Sequence, residues 1–185
     1  TPEDASSARF GQSLWTFMPE AMLRNTKNAW KLEAERLGNS GLPFIHWRNE
    51  MLGWTMLWVI FCASFYFAFG SLGLMFFVLQ GFFAAASLEV INYVEHYGLE
   101  RKMLSDGRYE RTTHLHSWNS DYALSNLMLF QLQRHSDHHA FPKRRYAILR
   151  HHQDSPQLPG GYSAMFVLAL FPPLWIHGYW HIKRR

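Results

Sequence analysis

The sequence has 185 residues, enough for one domain with a hydrophobic core, and its mean hydropathy of -0.20 is that of a soluble chain. The single cysteine, Cys62, excludes an intrachain disulfide and any metal or redox site built from several cysteines. A net charge of +4 would suit nucleic-acid binding, but no nucleic-acid-binding motif accompanies it, so we expect the basic residues to have another role.

The first 50 residues are polar apart from one amphipathic stretch. Between Trp15 and Leu37, apolar residues such as Phe17 and Ala21 recur at helical spacing and charged residues occupy the other positions. The sequence GNSG at 38–41 is typical of a helix end. We therefore expect residues 1–50 to form a cytoplasmic helical segment that packs on the protein or lies at a membrane surface.

Two uncharged stretches follow, and the average hydropathy conceals them. Residues 51–70 and residues 71–88 contain no charged side chain, so each reaches the 18 to 20 apolar residues that a transmembrane helix needs. Gly70 and Gly73 mark a tight link between the two stretches. The pattern predicts a transmembrane helical hairpin over residues 51–91. A buried helix pair in a soluble protein is the alternative.

Basic residues lie on both sides of the predicted hairpin and are absent from its tip. Those before it are Lys27, Lys31, Arg36 and Arg48, and those after it are Arg101, Lys102, Arg108 and Arg111. Because Lys and Arg are enriched on the cytoplasmic side of membranes, both ends of the hairpin are predicted to be cytoplasmic.

The second stretch becomes polar where it ends. Glu89, Asn92, Tyr93 and His96 are spaced so that they share one face of a helix. An ionisable side chain at such a depth indicates a functional site. Glu89 is a candidate for orienting a ligand histidine through its second ring nitrogen, and Glu95 is a weaker candidate for the same role. A wet interface is the alternative explanation for Glu89.

A histidine triplet lies further along the chain. His135, His138 and His139 follow apolar residues at helical spacing, with Asp121 near the start and Pro142 as a stop, which predicts one helix with the histidines in its last turns. Offsets of three and four place them on one face. Together with His96 they form a ligand set that suits iron, zinc, copper or nickel. Exposed histidines that respond to pH are the alternative.

The remaining histidines and the C-terminal stretch have weaker signals. His114 and His116 lie in the polar connection 103–120 and are given no ligand role, although His116 and Asp137 are candidates for supporting the ligand histidines. His151 and His152 are expected to be solvated. Residues 162–179 are apolar but broken by two prolines, which favours a membrane-surface or re-entrant element over a third span.

The fold class predicted from these segments is all-α. We expect an integral-membrane helical protein with a transmembrane helical hairpin and a cytoplasmic, histidine-rich helical cap. Residues 1–185 would form part of a single domain, divided into the cytoplasmic segment 1–50, the hairpin 51–91 and the cap with its membrane-surface segment 92–185.

Four signatures then resemble those of a known family. NYVEHYGLERK at 92–102, HSWNS at 116–120, LQRHSDHHA at 132–140 and PQLPGGYSAM at 156–165 are similar to consecutive motifs of the integral-membrane alkane 1-monooxygenases of the AlkB type. The opening TPEDASSARFGQS resembles the segment that follows the second histidine box of that family. The resemblance extends over essentially the whole chain.

The resemblance implies a non-haem di-iron enzyme of the bacterial inner membrane, multi-pass, with its metal site on the cytoplasmic side. Such an enzyme hydroxylates a terminal methyl group of n-alkanes with O2 and with electrons from rubredoxin, which is itself reduced by an NAD(P)H-dependent rubredoxin reductase. The family's iron ligands carry over to His96, His135, His138 and His139. Arg101, Lys102, Lys143, Arg144 and Arg145 are candidates for docking an acidic rubredoxin.

The family's first two histidine boxes have no match in this sequence. Four histidines cannot complete the coordination of two iron ions, so the chain is expected to be a C-terminal portion that is inactive alone. Two related enzymes stay open as alternatives, a fatty acid desaturase and a xylene-type monooxygenase, as does a non-enzymatic membrane metal-binding protein. A zinc peptidase is disfavoured because HSDHH lacks the glutamate of HExxH.

Overall fold

The structure is a computed structural model that describes residue 1 and residues 4–183, with side chains as far as residue 178. Residues 2 and 3 of the N-terminal signature therefore lie outside the described residues. The helices are α1 (Leu14–Asn39), α2 (Glu50–His96), α3 (Ala123–Met128), α4 (His135–Ala140), α5 (Tyr162–Ala169) and α6 (Pro172–Lys183). Short 3-10 helices lie at His114–His116 and Tyr146–Ile148. Within the described ranges there are only isolated β-bridges and no strand, which confirms the predicted helical class.

The described chain divides into two compact units. One unit combines residues 1–20 with the chain from residue 89 onward, and the other comprises residues 21–88. Helices α1 and α2 each contribute to both units, because α1 begins in the first and α2 ends in it. The histidine motifs belong entirely to the first unit, so the candidate site can be described within that unit alone.

Helix α2 contains the uncharged stretches and is interrupted at Gly70. The backbone of Gly70 has φ 70° and ψ -163°, a conformation that is essentially restricted to glycine. Phe65 stacks on Phe77 with 4.7 Å between ring centroids, and Phe61 lies 6.1 Å from the same ring. A straight helix would separate Phe65 from Phe77 by about 18 Å, so the chain bends sharply at Gly70.

The two stretches on either side of Gly70 approach closely at Gly73. A Cβ atom on Gly73 would lie 2.8 Å from the carbonyl oxygen of Phe65, so only glycine fits at this position. Helix α2 is also long and apolar enough to cross a membrane, with a mean hydropathy of 1.9 in its most apolar window. Large side chains such as Trp54, Phe67 and Phe83 are exposed along it. By length and composition, α2 could therefore cross a membrane.

Ion pairs and caps join the end of α1 to the start of α2. Arg36 donates to both carboxylate oxygens of Glu33 at 2.7 Å, and the Glu50 backbone N–H donates to the same carboxylate. Asn49 is buried and its side-chain oxygen accepts from the Leu52 N–H, which caps the helix. Helix α1 thus spans the predicted stretch and ends at Asn39, within the predicted GNSG end.

The core of the first unit is built from aromatic side chains around the end of α2. Tyr93 and Tyr97 are fully buried and contact each other, and both contact Trp175 of α6. The N-terminal segment crosses the same region, where the Tyr93 hydroxyl donates to the Gln12 carbonyl and the Tyr97 hydroxyl accepts from the Gly11 N–H. The last turn of α2 is therefore held from several sides.

The prediction of one continuous helix leading to the histidine triplet is wrong. Helix α3 ends at Met128 and α4 begins at His135, and between them Phe130 and Gln131 have left-handed backbones with φ 50° and 61°. The break lets Gln133 turn inward, where its side-chain oxygen accepts from the Tyr162 N–H and its backbone carbonyl from the Ser120 N–H. These tertiary hydrogen bonds outweigh the local helical pattern.

The ends of α3 and α5 differ in how well the sequence predicted them. Asp121 does not cap α3, because the N-cap residue is Tyr122 and no side chain provides a cap hydrogen bond. The predicted break at Pro172-Pro173 is present, since α5 ends at Ala169 and the first proline opens α6, a position that suits proline. Whether this C-terminal element lies at a membrane surface stays a prediction.

Candidate metal centre

The HSWNS segment holds the two parts of the site together. Ser117, Trp118, Asn119 and Ser120 are buried. Towards α2, the Trp118 backbone N–H donates to the Glu95 carbonyl at 2.8 Å and the indole N–H donates to the Tyr97 carbonyl at 2.9 Å. Towards α4, the Ser136 hydroxyl donates to the Asn119 side-chain oxygen. The segment therefore fixes the end of α2 relative to the start of α4.

Three imidazole rings come together between the last turn of α2 and helix α4. One ring nitrogen from each of His96, His135 and His139 lies within 4.8 Å of the other two, and the Nε2 atoms of His96 and His139 are 2.9 Å apart. The His96 Nδ1 lies 3.0 Å from the Asn92 carbonyl. Because a carbonyl only accepts, Nδ1 donates to it, and Nε2 is the ring nitrogen that faces His139. We call these three residues the histidine trio.

The environment keeps the two α4 histidines of the trio neutral. Burial lowers the pKa of His135 well below its ordinary value, and the positive charges that His96, His139 and His138 would carry lower it further. Burial and the same kind of repulsion from His96 and His138 lower the pKa of His139 to about 4. Neutral imidazole is the form that ligates metals, so both side chains are ligand-competent at neutral pH.

His138 lies beside the trio without joining it. Its ring centroid is 5.6 Å from that of His135 and 6.2 Å from that of His139, and its side chain is exposed. The structure thus brings together three of the four predicted ligand histidines. A metal-binding role for His138 stays a prediction.

Glu95 is the carboxylate that reaches a histidine of the trio. Its Oε2 lies 3.3 Å from the Nε2 of His135, and the residue is almost completely buried. Glu89 is also buried, but its carboxylate accepts from the Asn92 side chain at 3.2 Å. Glu95 was the weaker candidate from the sequence, but it is the one that contacts a histidine of the trio. Contacts of this kind orient ligand histidines in metalloproteins. Their functional roles stay predictions.

Asp137 anchors α4 from the opposite side. Its fully buried carboxylate accepts from Arg144 at 2.6 Å, from the Arg150 backbone N–H at 3.0 Å and from the His152 Nε2 at 2.8 Å. Burial alone would raise the pKa of Asp137, but these hydrogen bonds and the Arg144 charge lower it below its ordinary value. Asp137 thus supports the trio through the backbone of α4.

Other predicted side chains have different partners. His116 lies against Glu110, with 3.1 Å from its Nε2 to the carboxylate, while its Nδ1 faces Thr113. His152, which we expected to be solvated, is half-buried against Asp137. Sequence reasoning missed this contact because the partners are 15 residues apart and no local pattern links them.

A second group of ligand-type side chains contains His114, His152 and Asp154. The two imidazoles are stacked, with 4.6 Å between centroids and 11° between ring planes. The lone pair of an imidazole nitrogen lies in the ring plane, so two parallel stacked rings do not direct their lone pairs at one ion. This group therefore lacks the convergence that distinguishes the histidine trio.

Two observations indicate that a metal ion would fit between the nitrogens of the histidine trio. Two ligands at right angles with metal–nitrogen bonds of about 2.1 Å would be about 3.0 Å apart, and the Nε2 atoms of His96 and His139 are 2.9 Å apart. In addition, among the described residues the buried Oε1 of Glu95 has no hydrogen-bond partner. Burial raises the pKa of this carboxyl to about 8, and a cation bound at the trio would favour its ionised form.

Comparison with known proteins identifies relatives. The chain is 61% identical over 175 residues to alkane 1-monooxygenase 2 of Pseudomonas aeruginosa, covering 95% of this chain and 46% of the relative. It is 55% identical to alkane 1-monooxygenase 2 of Alcanivorax borkumensis, again covering 95% of this chain and 46% of the relative. Identity falls to 28% with the hydroxylase component of a xylene/toluene monooxygenase of Pseudomonas putida, covering 95% and 46%.

The chain thus spans about half the length of the curated relatives that it matches. The resemblance to alkane 1-monooxygenases that the sequence motifs indicated is confirmed. A match to the family described as fatty acid desaturase extends over residues 1–180, which is nearly the whole sequence. The chain belongs to the fatty acid desaturase family.

Proposed function

We propose that this chain is the C-terminal portion of a membrane-bound, non-haem di-iron alkane 1-monooxygenase. The enzyme would hydroxylate the terminal carbon of n-alkanes with O2 and with electrons supplied by rubredoxin. The observation that carries the proposal is the convergence of His96 with His135 and His139 from a separate segment. The similarity to relatives named alkane 1-monooxygenase supports the choice of substrate.

The chain would supply four ligands to a centre of two iron ions. His96, His135 and His139 would provide the converging nitrogens, and His138 would serve the second ion. Two ions need more ligands than four, so the remainder would come from residues outside these 185. When bound, the iron activates dioxygen for attack on an unpolarised C–H bond, which no side chain can attack by acid-base or nucleophilic chemistry.

The residues around the trio would keep it ready to bind iron. Burial holds His135 and His139 neutral, so protons compete weakly with the metal at neutral pH. The Asn92 carbonyl holds the proton of His96 on Nδ1, and Glu95 contacts His135. Asp137 fixes α4 against the segment 144–152. Such contacts keep the ligand nitrogens in place before the metal arrives.

We also propose that residues 51–91 form a transmembrane hairpin in the bacterial inner membrane, with the metal site on the cytoplasmic side. The bend at Gly70 and the contacts of Phe61 and Phe65 with Phe77 support a reversal of the chain. The basic residues before and after the hairpin support the orientation. The division into segments 1–50, 51–91 and 92–185 stays a prediction.

Electrons would reach the iron from rubredoxin, which an NAD(P)H-dependent reductase would reduce in turn. Lys102, Lys143 and Arg145 are exposed and are candidates for docking an acidic partner. Arg144 is a weaker candidate than the sequence indicated, because its side chain is committed to the buried carboxylate of Asp137.

Iron content and product analysis test the proposal together. The protein containing this chain and its upstream segment should bind about two iron ions per chain and convert octane or hexadecane to the 1-alkanol when rubredoxin, its reductase and O2 are present. His139→Ala should lower the iron content, whereas His46→Ala, outside the trio, should not. Iron content that is unchanged by His139→Ala would contradict the ligand assignment.

The products separate the proposal from its alternatives. Oxidation of xylene but not octane would identify a xylene-type hydroxylase, a reading that the more distant xylene/toluene relative keeps open. A double bond introduced into an acyl chain would identify a desaturase. Iron binding without any product from octane, hexadecane, xylene or an acyl chain would favour a non-enzymatic metal-binding protein.

A further inference from the structure

Helix α3 has its polar side chains inside and its apolar side chains outside. Asn126 is 7% exposed, and the Ser125 hydroxyl donates to the Gln133 side chain at 3.0 Å. In contrast, Leu124 is 73% exposed and Leu127 is 79% exposed. Helices that face water show the opposite pattern, so the outer face of α3 is not built for water.

The exposed apolar surface continues beyond α3. Met128 and Phe130 are exposed, and the left-handed backbone at Phe130 ends the helix where this ring turns outward. The Phe130 ring contacts that of Tyr146 edge-on, with 5.8 Å between centroids. Ile148, two residues further on, is exposed as well. These side chains, Leu124, Leu127, Met128, Phe130, Tyr146 and Ile148, form what we call the α3 patch.

The charges of this part of the chain are one-sided. Between residues 122 and 153 the sequence contains one carboxylate, that of Asp137, which is buried and paired with Arg144. Three basic residues in the segment that carries Tyr146 are exposed, namely Lys143, Arg145 and Arg150. Asp121 lies beside Leu127 and Tyr146 but is paired with Arg134 at 3.4 Å, so the net charge of the exposed side chains around Tyr146 is positive.

Apolar and aromatic side chains combined with exposed cations are the composition of segments that lie in a membrane interface. The apolar residues enter the boundary between headgroups and acyl chains, aromatic rings lie at headgroup depth, and Lys and Arg bind anionic headgroups. A water-filled environment would leave the apolar residues exposed without compensation. Docking of an acidic partner would account for exposed cations such as Lys143 and Arg145, but not for the exposed apolar residues of α3.

We propose that the α3 patch is a membrane-contact surface that inserts into the interface of a bilayer containing anionic lipid. The apolar residues of α3 would reach the acyl boundary, and Lys143, Arg145 and Arg150 would contact the headgroups. Of the exposed cations named above for rubredoxin docking, only Lys102 would then stay available to that partner. This contact is separate from the apolar helix α2 and needs no metal. It adds to the proposed function a second attachment of the histidine-bearing unit to lipid.

Cys62 is the one cysteine of these 185 residues, so a labelled cysteine can be introduced at a chosen position once Cys62 and any cysteine of the upstream segment are replaced. In a Cys62→Ser background, Leu127→Cys would carry an environment-sensitive NBD label, and the protein would be reconstituted in vesicles of phosphatidylcholine with phosphatidylglycerol. Lipids that carry a nitroxide on the acyl chain quench NBD labels that reach the acyl boundary. We expect at least about twofold quenching at position 127. The matched control, Ser105→Cys, places the label on an exposed turn outside the patch and should be quenched little.

A triple variant with Lys143→Gln, Arg145→Gln and Arg150→Gln tests the charge contribution. It should reduce quenching at position 127 in anionic vesicles and change it little in pure phosphatidylcholine. Equal quenching at positions 127 and 105, or quenching that does not respond to the triple variant, would overturn the proposal. A label that is shielded from water but not quenched would overturn it too, because protein would then cover the patch. None of these readouts depends on hydroxylation, so this proposal and the proposed function can fail separately.

Discussion

Replacing Asp137 with asparagine should destabilise the histidine-bearing unit more than most single substitutions. The carboxylate accepts hydrogen bonds from Arg144, the Arg150 N–H and His152, and it is fully buried. Asparagine keeps one carbonyl oxygen but removes the charge, which leaves Arg144 with only 16% of its side chain exposed and no counterion. Removing one partner of a buried ion pair costs about 3–5 kcal/mol, a large share of a typical stability of about 5–15 kcal/mol.

Urea unfolding in detergent, followed by near-ultraviolet circular dichroism, would measure this loss. The matched control is Asp154→Asn, which alters an exposed carboxylate paired with His114 and should unfold close to wild type. Adding Arg144→Met to Asp137→Asn should recover part of the loss, because it removes the unpaired buried charge. A single variant within about 1 kcal/mol of wild type, or a double variant without recovery, would refute the anchoring role of Asp137.

The pH dependence of unfolding follows from the same contacts. The folded-state pKa of Asp137 lies below its ordinary value of 3.8, so the stabilisation is fully present above pH 3.8 and is lost as the pH falls through the folded-state pKa. Asp137→Asn should therefore lack this component of the acid-induced loss of stability. An identical acid transition in wild type and variant would contradict the depressed pKa.

Four further predictions address the ligands and the bend. In the protein with its upstream segment, His138→Ala should remove iron from one site and abolish octane hydroxylation while membrane insertion persists; retained turnover would exclude His138 as a ligand. Glu95→Gln should weaken metal binding about 10- to 100-fold and Glu89→Gln much less, measured by metal titration, and the reverse order would assign the orienting role to Glu89. Because the pKa of His139 is lowered to about 4, Co(II) binding at pH 5.5 should stay near its pH 7.5 level, whereas histidines of ordinary pKa would lose affinity. Gly70→Ala should lower stability by about 1–3 kcal/mol in thermal unfolding, since alanine does not tolerate the Gly70 backbone angles; an unchanged transition would contradict the bend.

The features that were predictable from the sequence are those carried by local patterns. The length of the two uncharged stretches predicted the apolar helix α2, and the glycines between them predicted the break at Gly70. The spacing of apolar residues between Trp15 and Leu37 predicted α1. The helical spacing of Leu124 and Leu127 predicted a helix where α3 lies, but it did not predict that this helix ends at Met128. The break at Phe130 follows from the contacts of Gln133 with Ser120 and Tyr162, which no local pattern encodes.

The candidate site also has features that local patterns predicted and features that they did not. Histidine spacing and motif resemblance predicted His96, His135 and His139, which the structure brings together. The ranking of Glu89 above Glu95 followed from helical periodicity alone and did not account for the position of His135. Contacts between distant segments of an irregular loop region depend on the tertiary fold. The hydrogen-bond partners of Asp137 could therefore not be predicted from the sequence.

The shortness of α4 has a consequence for the order of events during biosynthesis. A six-residue helix has no stability of its own in water, and nucleating it costs more than its hydrogen bonds return. The geometry of α4 depends on the hydrogen bonds that Asp137 accepts from Arg144 and His152. It also depends on Asn119, which accepts from Ser136 of α4 and whose backbone N–H donates to the Pro156 carbonyl. The imidazoles of α4 therefore reach their final positions only after the chain beyond residue 156 has left the ribosome, so a metal ion held by the trio would bind after that point.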